Sequence, residues 1–317
     1  MGSNSGAQQP LTTQILTGDP SQQKTASWDS DEDDPSTPSI TYSTTTDLFK
    51  AIAVVQRASG DALRVEGVTS EIFGRILNAR SESQKFTFFF SEPHQLLIVT
   101  IPSGPHEHAA LAISQHIYIN IWQMNLQRGI INSASELFGS APGQQPKGPG
   151  EPDGSWTPTL PSGDLPPWPS VVVEVGKSHS MAILRLKAAR WLIQSSYAVR
   201  AVILVKIGPQ QGIITIEKWR GVESEGRPGA TTTRASAAAT REPDCVQTVG
   251  ISRTGVGTGD MARLDPNSYT VVRGPLRLAF ADLFLRDPEP GEYDIIFEDE
   301  VLQNLAVDVS RERGARQ

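Results

Sequence analysis

Cysteine is almost absent from this chain, which has a single one, Cys245, among its 317 residues. One thiol cannot form an intrachain disulfide, and it excludes zinc sites built from several cysteines. A lone cysteine also fits a reducing compartment. The class of small disulfide-stapled secreted proteins is therefore excluded.

Long apolar runs are absent as well. No run is long enough to cross a bilayer, and the N-terminus lacks the apolar region of a secretory signal. We expect a soluble intracellular protein with no membrane partner, and the sequence favours neither nucleus nor cytoplasm. The net charge of -7 argues against a protein that coats nucleic acid through a generally basic surface, although it allows a local basic patch.

Several catalytic and binding motifs are missing. The sequence has no glycine-rich phosphate-binding loop, no Gly-x-Ser-x-Gly elbow and no visible internal repeat. His106, His108 and His116 lack the spacing of four residues that a helical zinc site requires. We therefore interpret these histidines as structural or solvated.

Composition divides the chain into an ordered domain and three polar regions. Residues 1–43 are rich in Ser, Thr, Gln and Asp, and they predict a disordered acidic tail. Residues 221–265 are poor in bulky apolar side chains and predict a disordered insertion. The remaining residues, 44–220 and 266–309, are expected to form one domain, which is followed by a short tail at 310–317.

Periodicity and turn residues predict alternating helices and strands. Two β-rich runs around Ser91-Glu-Pro-His-Gln predict a hairpin, and apolar residues at spacings of three and four predict a helix over residues 106–127. A strand at 170–177, a helix ending near Ser195 and a strand from Val199 predict a right-handed crossover between parallel strands. Further strands are expected near 212–219 and 292–297, and a final helix over 298–307. This order indicates an α/β fold with a mixed central β-sheet flanked by helices.

The strand Ser170-Val-Val-Val-Glu-Val-Gly-Lys carries the strongest functional signal. Such an apolar run is typical of a strand buried on both faces, yet Glu174 lies in its middle. A buried carboxylate is costly unless a cation, a metal or hydrogen-bond donors meet it. Glu174 is therefore a candidate site residue, and a strand-end carboxylate that reaches water or a structural Arg remains the alternative.

A second acid precedes this strand, in Pro152-Asp153. Paired carboxylates can hold divalent ions that activate water and neutralise charge on a phosphate, and a nearby lysine can assist. Two acids separated by a connector and a strand suit neighbouring strands that meet at one edge of a sheet.

These residues resemble the PD-(D/E)XK restriction-endonuclease-like superfamily. The similar segments are Pro152-Asp153, the Glu174 strand, the helix Leu184-Arg-Leu-Lys187-Ala-Ala-Arg-Trp191 and the strand after it, within residues 96–220. The likeness is to a divergent branch whose lysine lies on the helix after the acidic strand. It implies a restriction-endonuclease-like core and a Mg²⁺- or Mn²⁺-dependent nuclease that acts on DNA.

The resemblance also implies roles for individual residues. Asp153, Glu174 and the carbonyl of Val175 would be metal ligands, and Lys187 would be the catalytic lysine. Glu107, near the start of the long helix, would be a supporting carboxylate. The chain departs from the common motif at Gly176, where a lysine is usual, so Lys177 remains an alternative to Lys187.

Two other interpretations remain open. The chain could be a nuclease-derived fold without catalysis, which serves as a binding or regulatory module. It could also be an interaction protein with acidic arms, in which Asp153 and Glu174 lie far apart.

Overall fold

The structure is a computed structural model. It describes residues 37–81, 84–133, 136–138, 150–208, 212–224, 240–253 and 262–311. Within this part of the chain, no helix is both long enough and apolar enough to span a membrane.

A four-stranded sheet forms the N-terminal part of the described chain, in the order β1-β2-β4-β3. Its strands are β1 (Ser39–Thr41), β2 (Ala62–Glu66), β3 (Thr87–Ser91) and β4 (Leu96–Thr100). Strands β3 and β4 pair antiparallel, which confirms the predicted hairpin. Two helices accompany the sheet, α1 (Thr45–Arg57) and α2 (Ser70–Ala79), and Thr44 and Thr69 cap their first turns.

The two faces of this sheet pack against different partners, because successive side chains on a strand point to opposite sides. Val65, Leu97 and Val99 join α1 and α2 in one core cluster. Phe89 and Ile98, on the other face, belong to a second cluster that includes the helix after the Glu174 strand. The N-terminal sheet therefore packs directly on the elements that carry the candidate site.

The central sheet has seven strands in the order β11-β10-β9-β8-β7-β6-β5. They are β5 (Ile130–Asn132), β6 (Gly154–Pro158), β7 (Val171–Gly176), β8 (Ala201–Ile207), β9 (Ile214–Ser224), β10 (Thr240–Arg253) and β11 (Tyr269–Val272). Only β7 and β8 pair parallel among these strands, and the other neighbours are antiparallel. The predicted mixed central β-sheet is confirmed.

Helices cover both faces of this sheet. Helix α4 (Met181–Gln194) connects β7 to β8, with Ser180 as its cap, and packs on the face that shows Val172 and Leu204. Helices α3 (Gly104–Gln123) and α6 (Asp299–Ser310) pack on the opposite face, against Val173 and Val175. The α/β class with flanking helices is therefore confirmed.

The closing elements are short. Strands β12 (Leu276–Leu278) and β13 (Ile295–Phe297) form a two-stranded sheet, and α5 (Phe280–Phe284) lies between them. Histidines attach α3 to this region, since His116 Nε2 lies 2.8 Å from the Ile296 carbonyl and His108 Nδ1 lies 2.9 Å from the Asp308 carbonyl. Both histidines have structural partners, in line with their interpretation from the sequence.

Two predicted boundaries are wrong where the structure describes them. The interval 221–265 was expected to be disordered, but residues 240–253 form β10, which pairs with β9 along most of its length. Backbone hydrogen bonds, which composition does not reveal, hold this ribbon together. Strand β1 likewise lies inside the predicted 1–43 tail and pairs with β2. Residues 1–36, 225–239, 254–261 and 312–317 lie outside the described part of the chain.

Candidate functional site

Asp153 and Glu174 lie near each other, where β6 begins and β7 nears its end. Gly154, the first residue of β6, pairs with Val173, the residue before Glu174. The Asp153 N–H donates to the Val173 carbonyl at 3.1 Å, one residue out of that register, so the ladder is irregular at Asp153. The Asp153 carboxylate in turn bonds the N–H of Val175, the residue after Glu174. The two acids that the sequence singles out are therefore neighbours at one end of the β6–β7 pair.

The Asp153 carboxylate is held by two groups. Its Oδ2 accepts a hydrogen bond of 2.7 Å from the Val175 N–H, and Nε2 of His106 lies 3.2 Å from the same oxygen. The side chains of Asp153 and His106 are 3% and 4% exposed. The N–H and C=O of one strand residue point to the same neighbouring strand, so the Val175 carbonyl also points toward Asp153.

Both oxygens of Glu174 are bonded. Lys187 Nζ donates to Oε2 at 2.9 Å, and the indole N–H of Trp191 donates to Oε1 at 2.7 Å. Lys187 and Trp191 are four residues apart, so they lie on the same face of α4. The Glu174 side chain is fully buried. These two donors explain how a carboxylate is accommodated inside an apolar strand.

Lys187 is a buried cation with several partners. Its ammonium donates to Thr100 Oγ1 at 3.3 Å and lies 5.6 Å from the centre of the Phe89 ring, both in the N-terminal sheet. Its side chain is 1% exposed. Lys177, the alternative from the sequence, is exposed. Of the two lysines, the structure brings only Lys187 to Glu174.

Gly176, which stands two residues after Glu174, is closely packed by His179 and by the start of α4. A Cβ atom at Gly176 would lie 3.0 Å from His179 Cβ and 3.0 Å from Leu184 Cδ1. These distances are shorter than normal packing contacts, so a side chain at this position requires its neighbours to shift. The lysine of the site comes from α4 instead.

Glu107 is placed differently from the prediction. It is exposed, whereas its neighbour His106 is buried beside Asp153. The buried face of α3 consists of His106, Ala109, Ile113, Ile117 and Ile121. The apolar spacing of the sequence predicts a buried stripe that begins at Ala110, with Glu107 three residues earlier on the same face. In the structure the first turns of this stripe are formed by His106 and Ala109 instead, so Glu107 points away from the core.

Two further polar residues near the site were missed. Asp61 is buried just before β2, and its Oδ1 accepts from the Ser178 N–H at 3.0 Å. His179 is fully buried, and no described group hydrogen-bonds to either ring nitrogen. Asp61 lies 117 residues before Ser178 in the sequence, so no local pattern predicts this contact. The bond connects the segment just before β2 to the loop between β7 and α4.

Burial and charge shift the pKa values of the site residues in different directions. Burial opposes ionisation of Asp153, but the charge and contact of His106, the charge of Lys187 and the Val175 N–H lower its pKa to about 2. Burial raises the pKa of Glu174, and the Asp153 carboxylate adds to this although Lys187 opposes it. Burial lowers the pKa of His179 well below its usual value. Asp153 is therefore the firmly ionised acid of the pair.

Lys187 supplies the positive charge of this cluster. Burial disfavours its charged form, but Glu174 and Asp153 raise its pKa above the usual value. In the described residues, no three His, Cys, Asp or Glu side chains form a ready metal-holding group. Carboxylates and a main-chain carbonyl are nevertheless the ligands that Mg²⁺ and Mn²⁺ accept. The carboxylates of Asp153 and Glu174 and the carbonyl of Val175 are therefore of the chemical type that such an ion accepts. They lie where the Lys187 ammonium already contacts Glu174.

Comparison with known proteins adds little to this geometry. No family model matches the chain, and no curated protein matches it in sequence. Among solved structures, the chain is similar to a candidate nuclease belonging to DUF820 from Anabaena variabilis, with 15% identity and a TM-score of 0.31. The likeness covers 48% of this chain and 79% of that one.

Proposed function

We propose that this protein is a metal-dependent nuclease that hydrolyses DNA phosphodiester bonds at the Asp153–Glu174 edge. The observation that carries the proposal is the Asp153 carboxylate, which bonds the Val175 N–H at 2.7 Å directly beside Glu174, with Lys187 2.9 Å from Glu174. Two neighbouring carboxylates can hold a divalent ion that activates water, and a nearby lysine can assist the reaction.

Asp153, Glu174 and the Val175 carbonyl would hold the divalent ion, Mg²⁺ or Mn²⁺. When bound, such an ion lowers the pKa of a water and neutralises charge on the phosphate. The side chains around the acids fix their positions. The Val175 N–H and His106 hold Asp153, and Trp191 holds one oxygen of Glu174.

Lys187 has two tasks under this proposal. Its ammonium donates to Glu174 and offsets the charge of that buried carboxylate. With a divalent ion held by Asp153, Glu174 and the Val175 carbonyl, the Lys187 charge would serve the phosphate or the attacking water.

A second candidate is a nuclease-derived binding or regulatory module without catalysis. The observation that favours it is burial, since Asp153, Glu174 and Lys187 have side chains 3%, 0% and 1% exposed. Both Glu174 oxygens are also bonded within the chain. A substrate phosphate reaches these groups only after the N-terminal sheet or the β7–α4 loop moves.

A cleavage assay separates the two candidates. Full-length protein is incubated with supercoiled plasmid or single-stranded DNA and Mg²⁺ or Mn²⁺, beside an Asp153→Ala, Glu174→Ala double variant. We expect cleavage by the wild type and a loss of about 100-fold or more in the variant, because the ligands of the ion are gone. Asp164→Ala is the matched control, since it removes an exposed acid from the connector between the same strands. Equal activity in the double variant overturns the proposal.

A further inference from the structure

Helix α3 has a second apolar face, on the side away from the core. Its outward residues Leu111, Tyr118, Ile119 and Trp122 are between 47% and 57% exposed. A large aromatic side chain such as Trp122 is seldom so accessible on a protein that acts alone. The ring centres of Tyr118 and Trp122 lie 6.3 Å apart, so these two aromatic side chains form one apolar patch.

This face has the spacing of a helix-pairing seam. Leu111, Gln115, Tyr118 and Trp122 follow one another at intervals of four, three and four residues, which is the pattern of core positions in a coiled coil. Residues 109–127 contain no Asp, Glu, Lys or Arg. We define Leu111, Gln115, Tyr118 and Trp122 as the α3 seam.

The α3 seam is complementary to itself. In an antiparallel pair about a two-fold axis between residues 116 and 117, Leu111 lies opposite Trp122 of the second copy. Gln115 lies opposite Tyr118 of the second copy, where an amide and a phenol can hydrogen-bond. Each contact occurs twice, as a closed dimer requires.

The surface beside the seam has room for the aromatic side chain. A groove of about 190 Å³ lies next to Leu111, lined by His108, Leu111, Ala112, Gln115, Asp308 and Arg311. In the two-fold pairing, Trp122 of the second copy lies opposite Leu111, which lines this groove. Tryptophan side chains that fill such grooves are typical anchors of protein interfaces.

The charges at the ends of the seam also match. Glu107 is exposed one helical turn before Leu111, and Arg128 is exposed shortly after α3 ends. Neither forms an ion pair with another described residue. In the antiparallel pair, the Glu107 end of one helix meets the Arg128 end of the other. From the apolar seam, the adjacent groove and these charges, we infer that the α3 seam is the interface of a homodimer.

Sedimentation velocity of the full-length chain over a wide concentration range tests this inference. The wild type is expected to form a dimer, and Trp122→Asp is expected to be a monomer, because it replaces the aromatic side chain opposite Leu111 of the second copy with a carboxylate. Val54→Asp is the matched control, since Val54 is 61% exposed on α1 and lies outside the seam. Circular dichroism checks that each variant is folded.

A charge exchange distinguishes a second copy from any other occupant. Glu107→Arg or Arg128→Glu alone places like charges opposite each other twice in the dimer and should raise the dissociation constant about fivefold. The two substitutions in one chain restore opposite charges and should restore the dimer. A monomeric wild type, including one that binds another protein or lipid vesicles through this face, overturns the inference. A dimer that persists in Trp122→Asp also overturns it.

Discussion

Replacing Lys187 by methionine is expected to lower the free energy of unfolding by about 3–5 kcal/mol. The substitution keeps most of the side-chain volume but removes the ammonium 2.9 Å from Glu174. Glu174 then stays fully buried with Trp191 as its remaining hydrogen-bond donor among the described groups. An unpaired buried carboxylate must either bear the cost of desolvation or take up a proton.

Chemical unfolding in urea measures this loss. Lys177→Met is the matched control, because it removes an exposed lysine ten residues away and should change stability by less than about 0.5 kcal/mol. Adding Glu174→Leu to Lys187→Met removes the stranded charge and should recover much of the loss. Equal effects of the two lysine variants would contradict the placement of Lys187 beside Glu174.

Acid should destabilise the protein through Asp153, by about 2–3 kcal/mol. The pKa of this carboxyl is about 2 in the folded protein and near 3.8 in the unfolded chain. A carboxyl whose pKa is lower in the folded protein than in the unfolded chain stabilises the fold at pH values above the unfolded-state pKa. This stability is lost as the pH falls toward the folded-state pKa. The loss therefore lies between about pH 5 and pH 2.

The measurement compares wild type with Asp153→Asn by urea unfolding at several pH values. The pKa of Glu174 is raised, so protonation of Glu174 stabilises the folded wild type as the pH falls. The informative quantity is therefore the difference in free energy of unfolding between the wild type and the variant. The wild type is expected to lose stability relative to the variant as the pH falls through this window. Parallel curves would show that Asp153 is not held as an ionised group.

The sequence predicts the central fold well because its signals there are local. The valine-rich β7, the Ser180 cap and the apolar stripe of α4 lie within 25 residues of one another. A strand, a helix and a second strand in succession nearly always form a right-handed crossover between parallel strands. The structure accordingly shows the predicted parallel pairing of β7 with β8.

Strand β10 was missed because its order comes from pairing. Its segment contains Pro243 and many polar residues, and only Val249 and Ile251 are fully buried apolar side chains. It is ordered because β9 lies beside it and supplies a ladder partner for nearly every residue. Amino-acid composition does not show that β9 pairs with this segment, and a polar strand therefore has the same composition as a disordered segment.

Some contacts of the candidate site follow from local sequence signals and others do not. Glu174 and Lys187 lie on a strand and a helix that the sequence predicts, and the structure brings their side chains together. His106 was missed because the helical phase was set one residue late at the start of α3. Asp61 reaches the site through the packing of a separate sheet, and such contacts are not encoded locally.

A calorimetric titration of the protein with Mn²⁺ or Mg²⁺ tests the metal site most directly, because it does not depend on knowing the substrate. Ion binding is expected for the wild type and for Asp164→Ala, and its loss is expected in the Asp153→Ala, Glu174→Ala double variant. No binding by folded wild-type protein, or unchanged binding by the double variant, would contradict the assignment of the Asp153–Glu174 edge as a metal-dependent site.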